Sequence, residues 1–95
     1  MTSPTIHMNG TIADDLLEYY MEAASSIREA AEKVAKNGPN ARDYYVQAGP
    51  AFTLARTEHE QRIWRLREVL AEIEEIMQNI VTQQEERDAR KRHAL

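Results

Sequence analysis

Apolar residues in the second half of the chain recur at Ile63, Leu66, Leu70, Ile73, Met77 and Ile80, in steps of three and four. That spacing is a heptad seam, the pattern by which one helix packs along another. The first half carries a counterpart at Ala13, Leu16, Tyr20, Ala23, Ile27, Ala30 and Val34, with Leu17, Ala24 and Ala31 repeating beside it every seven residues. The first seam is rich in alanine and the second in large aliphatic side chains. Small residues let helix axes approach, and large ones from the partner fill the space. The pattern predicts an all-α chain built on an antiparallel hairpin of two long helices.

Local signals place the ends of these helices. Residues 1–10 have no period and read as a mobile arm. Thr11 and Asp14 in "TIAD" form a capping-box pattern, so the first helix is expected over Ile12–Lys36. Asp14, Asp15 and Glu18 sit where the helix dipole favours negative charge, and Lys33 and Lys36 where it favours positive charge. Asn37-Gly38-Pro39 predicts a stop with a left-handed residue followed by one that cannot continue the helix. Asn40 is expected to cap a short helix over Ala41–Ala48. Gly49-Pro50 then breaks or kinks the chain, and a second helix is expected from about Ala51 to roughly Arg87, with Pro50 well placed at its start. The hairpin domain therefore spans 11–87, and the charged segment 88–95 reads as a fraying tail.

Lengths suggest that one hairpin does not cover itself. With a turn across residues 37–50, Ala13 is expected near the level of Glu75, or nearer Arg65 if the short helix extends the second one backward. Either way the second seam outruns the first. Each large aliphatic side chain contributes about 1.5–3 kcal/mol on burial, so a second copy is the expected cover. Leu66, Leu70, Ile73, Met77 and Ile80 become the expected oligomer interface of a dimeric four-helix bundle or coiled coil.

Composition narrows the picture further. The 95 residues allow one small domain. The absence of cysteine excludes disulfides and thiolate metal sites and suits a cytoplasmic location. No apolar run is long enough for a membrane span, and the N-terminal residues lack the charge and apolar core of a signal peptide. A net charge of −4 with interspersed signs argues against nucleic acid as a partner. The basic cluster Arg87, Arg90, Lys91 and Arg92 is largely offset by Glu85, Glu86 and Asp88.

Chemistry-bearing residues are few. Arg56 and His59 fall at seam positions between Phe52 and Ile63, where polar residues set register. A buried His59 bonded to Tyr20 or to a carboxylate is the simplest expectation. A ferritin-like di-metal carboxylate site would need glutamate and histidine at i and i+3 on one face. Residue 56, three before His59, is Arg56, and Gln61 and Ile63 follow Glu58 and Glu60 at that spacing, so the motif is missing. His59-Glu60 is likewise not a zinc-protease helix, because position 63 is Ile63. No cofactor, metal or catalytic activity is expected. Trp64 lies one step off the seam. With Arg67 and with Tyr44 of the connection it forms the candidate partner-binding set, since Trp, Tyr and Arg dominate interface hot spots. The expectation is a protein-binding hairpin, whether adaptor, chaperone or inhibitor. The competing classes are a ferritin-like metal oligomer and a nucleic-acid-associated regulator.

Overall fold

The computed structural model describes residues 1–94, with side chains through His93; Leu95, the last residue of the expected tail, lies outside them. Helix α1 spans Ala13–Lys36 and helix α2 spans Ala51–Ala94, joined through a single 3-10 turn, η1, at Ala41–Asp43; the described residues contain no strand. The helices run antiparallel as a hairpin with extents of 73 × 20 × 19 Å. Its long axis is α2 itself, whose 44 residues reach about 66 Å at 1.5 Å per residue.

Helix α1 begins without the expected capping box. Ile12, not Thr11, holds the N-cap position, and no side chain caps it. The Ile12 carbonyl accepts from the backbone of Asp15 at 3.0 Å and of Leu16 at 3.1 Å. With Ile12 as N-cap, Asp14 is the second helical residue and not the third, so it does not reach back; its carboxylate accepts from Gln84 Nε2 of α2 at 3.0 Å. Asp14, Asp15, Lys33 and Lys36 do occupy the terminal turns that the dipole favours. The helix stops at Asn37, whose φ of −111° is not left-handed. Asn37 Nδ2 donates to the Lys33 carbonyl at 2.9 Å, satisfying one of the last orphan acceptors. The left-handed residue is Gly49, at φ 73°, rather than Gly38.

The connection is less helical than its sequence suggests. Asn40 does cap, accepting from the Arg42 backbone at 3.0 Å, but only one 3-10 turn follows. A short helix needs a face to bury. Here Tyr45 and Val46 are 80% and 76% exposed, so nothing holds Ala41–Ala48 in helical form. Helix α2 starts at Ala51, where its sequence predicts, with Pro50 just ahead of it and the Pro50 carbonyl accepting from the Leu54 backbone at 2.9 Å. At the far end α2 continues past Arg87 to Ala94, where a fraying tail was expected.

The helices meet along a line rotated slightly from the alanine-rich seam read in sequence. Ala13, Ala24 and Ala31 are buried, Ala23 is half-buried, and Ala30 is exposed. The contact stripe is thus Ala13, Leu17, Tyr20, Ala24, Ile27, Ala31 and Val34, again in threes and fours. On α2 the seam from Ile63 to Ile80 faces α1, and Ile80 is completely buried. Upstream the seam passes through Ala55 and His59. Arg56 lies outside it, exposed, with its guanidinium 5.8 Å from the centre of the Phe52 ring.

Register corrects the expected overhang. Arg28 meets Glu74 at 3.1 Å, and Asp14 meets Gln84. Ala13 therefore lies near Gln84, not near Glu75 or Arg65, and α1 already covers Met77 and Ile80. The long end of α2 is the other one, where the connection folds back against it. Residues 1–10 also pack: Gln83 accepts from the Ile6 backbone at 2.8 Å and donates to the Pro4 carbonyl at 2.9 Å. These bonds set Pro4 and Ile6 of the arm against α2.

Candidate functional site

Three surfaces bear on function. The first is the expected partner set. Trp64 is 64% exposed, on the side of α2 turned away from α1, and Arg67 stands exposed one turn further on. Tyr44 does not join them. It is half-buried in the connection with its ring 6.2 Å from that of Phe52. Phe52 precedes Trp64 by roughly 18 Å of helix. The structure therefore divides the set into a Trp64–Arg67 pair and a separate aromatic cluster at the turn.

The second surface is a recess where the connection folds over α2, lined by Pro39, Tyr44, Gln47, Glu58, His59 and Arg62 among others. Gly38 lies directly over His59, where a Cβ would stand 3.6 Å from Nε2. That nitrogen is buried and has no hydrogen-bond partner. The expected bond to Tyr20 or to a carboxylate does not form, because α1 has ended and the connection presents backbone and proline there. Among the described residues, no three histidine, aspartate or glutamate side chains gather closely enough to hold a metal ion.

The third surface was not singled out in the sequence. Among the described residues, the side-chain bonds between α1 and α2, Arg28–Glu74 and Asp14–Gln84, lie on one side of the hairpin. Asp14 and Arg28 are heptad-equivalent, which places them on the same flank of α1. The opposite flank carries Leu16, Ala23 and Ala30, a stripe continued on α2 by Val69 and Ile76. Val69 is 44% exposed, and Leu16, Tyr20, Ile27 and Ile76 are only half-buried. The clue was present in the sequence as two alanine stripes on α1, of which the hairpin uses one.

The expected interface residues divide in the same way. Ile80 is completely covered within the chain, whereas Leu66, Leu70, Ile73 and Met77 are half-covered. Among the described residues, no helix is long and apolar enough to cross a membrane. The basic cluster near the C-terminus lies on the exposed last turns of α2. Arg87 and Lys91 border a cleft shared with Asp14, Asp88 and His7, so both signs of charge meet there.

The fold and these surfaces define a class, the all-α helical hairpin with apolar surface left open. Comparison with protein-family models, curated proteins and solved structures found no match to this chain.

Proposed function

We infer that the protein works by binding other protein chains, itself included, and performs no catalysis. The observation that carries this reading is the thinness of the core: Ile80 is the one large side chain fully buried among the described residues. Two helices share a single line of contact, so Leu66, Leu70, Ile73 and Met77 of the seam are left half-covered. A row of half-covered aliphatic side chains gains most by packing against further helices. Self-association supplies the scaffold, and Trp64 with Arg67 supplies a directional anchor for a second partner, combining a rigid aromatic surface with a charged fork. A helical adaptor, assembly chaperone or inhibitor of cytoplasmic location fits these features, without cofactor or metal.

Light scattering at low micromolar concentration tests the first part, with twice the chain mass expected and a monomer counting against it. Capture of partners from host extract, identified by mass spectrometry, tests the second. Trp64→Ala should weaken capture by about 2 kcal/mol or more, the hot-spot scale, while helicity and oligomer mass stay unchanged. Lost oligomer with unchanged capture would make Trp64 a structural residue. Iron or zinc at one or two per dimer, lost in His59→Ala, would favour a ferritin-like metal oligomer, and a salt-dependent shift with DNA or RNA would favour a nucleic-acid regulator.

A further inference from the structure

We propose that a second copy of this chain docks on the open face of the hairpin through a two-fold axis parallel to the helices, so that Ala23 and Ala30 of each copy pack against Ile76 and Val69 of the other. This deepens the self-association proposed above and rests on it.

Exposed area supplies the first argument. The chain exposes 7530 Å². A globular monomer of its 11.0 kDa mass exposes about 5,600 Å² by the usual scaling of surface with mass. Each chain therefore carries an excess of about 1,900 Å², so two chains together carry about 3,800 Å². Obligate homodimers bury roughly 2,000–5,000 Å² in total. The excess is of the size that one such interface removes.

The second argument is the one-sidedness of the hairpin. On the flank of Asp14 and Arg28, polar side chains bridge the two helices, and the exposed Met21 stands there among Asp14, Glu18 and Glu22. On the opposite flank the docked arm bounds the face at Gln83 and the connection bounds it near Arg62. Between them the surface is formed by Leu16, Ala23, Ile27, Val69 and Ile76, all partly exposed, and by the exposed Ala30. This is the side on which a four-helix bundle would keep its centre.

Register supplies the third argument and selects the symmetry. A two-fold parallel to the helices leaves every residue at its own height. The Arg28–Glu74 and Asp14–Gln84 bonds put Ala30 at the level of residues 68–72 and Ala23 at the level of 75–79. Val69 and Ile76 lie within those levels. The new contact then repeats the one inside each hairpin, where Ala24 and Ala31 already receive the large side chains of α2: an alanine of one helix meets an aliphatic side chain of its neighbour. A two-fold across the helices would instead set α2 against α2 and α1 against α1, large on large and small on small.

The chain has no cysteine, so introduced ones report cleanly. Ala30→Cys and Val69→Cys chains with tags of different mass are co-expressed and oxidised under mild conditions. Ala30 and Val69 are both exposed in the hairpin, so neither change burdens its fold. The expected product is the mixed disulfide joining one chain of each kind, in excess over either homodisulfide. Homodisulfides in excess overturn the proposed axis. A dimeric mass with no cross-link at either position, but with cross-linking of a Met21→Cys and Val81→Cys pair on the opposite flank, overturns the face while leaving self-association standing. A monomeric mass overturns both. Val69→Glu should halve the mass of the wild-type assembly with helicity retained, and an unchanged mass would count against the face.

Discussion

Gln84 Nε2 donates to Asp14 Oδ1 at 3.0 Å, joining residues 70 positions apart. This contact sets the first turn of α1 beside the far part of α2, so the seam of α2 is matched to α1 along most of its length. A single hydrogen bond of this kind contributes about 0.5–1.5 kcal/mol, so it records the register more than it enforces it. The enforcing element is the nested stripe of alanines and aliphatic side chains behind it.

That stripe is tested by enlarging its small residues. Ala24→Leu and Ala31→Leu place extra methyl and methylene groups where the helices already touch, and each should cost about 1–3 kcal/mol. Ala35→Leu, on an exposed position, should change stability by under about 0.5 kcal/mol. Urea denaturation at one fixed protein concentration measures all three. Equal effects at positions 31 and 35 would mean that the buried face has been misplaced.

Ile80 is completely buried inside one chain. Ile80→Ala should cost about 2–5 kcal/mol. Val69→Ala removes a side chain that the single hairpin leaves 44% exposed, and its effect should grow only where the chains associate. Following both variants across a hundredfold dilution separates the two roles, because stability gained from association depends on concentration.

His59 carries a buried nitrogen without a hydrogen-bond partner on a seam otherwise made of apolar side chains. Leaving such a group unpaired costs about 1–3 kcal/mol. His59→Leu removes the polar atom and keeps most of the volume, so the urea midpoint should rise by the equivalent of about 1 kcal/mol. A fall of that size would show that His59 has a partner in solution, and would reopen a functional role for the recess beside it.

Gln83 grips the N-terminal arm through both of its amide atoms. Gln83→Ala should release the arm at a cost of about 1 kcal/mol or a little more. Hydrogen exchange at the Ile6 amide reads this directly, with protection in the wild type and its loss in the variant. An Ile6 amide that exchanges freely in both would return residues 1–10 to the mobile segment suggested by their composition.

Sequence alone determined what local physics controls. Heptad spacing does not depend on what covers it, so the two helices and the α2 seam from Ile63 to Ile80 were legible before any fold was known. Asn40 as a cap, the break before α2 and the charges at the ends of α1 follow from backbone groups and dipoles within a turn or two. The tertiary structure decided matters of relative position. Two adjacent stripes, Ala23–Ala30 and Ala24–Ala31, have nearly equal claim to the interface, and a rotation of α1 by less than one residue's turn chooses between them. Register could not be read because the return path of residues 37–50 sets it, and a 3-10 turn followed by loop shifts α1 along α2 relative to a longer helix. That shift covered Ile80 and drew Tyr44 to Phe52 and away from Trp64. The arm was illegible for the same reason: its bonds to Gln83 join residues 77 and 79 positions apart, and no local pattern announces a contact that only the folded hairpin brings within reach.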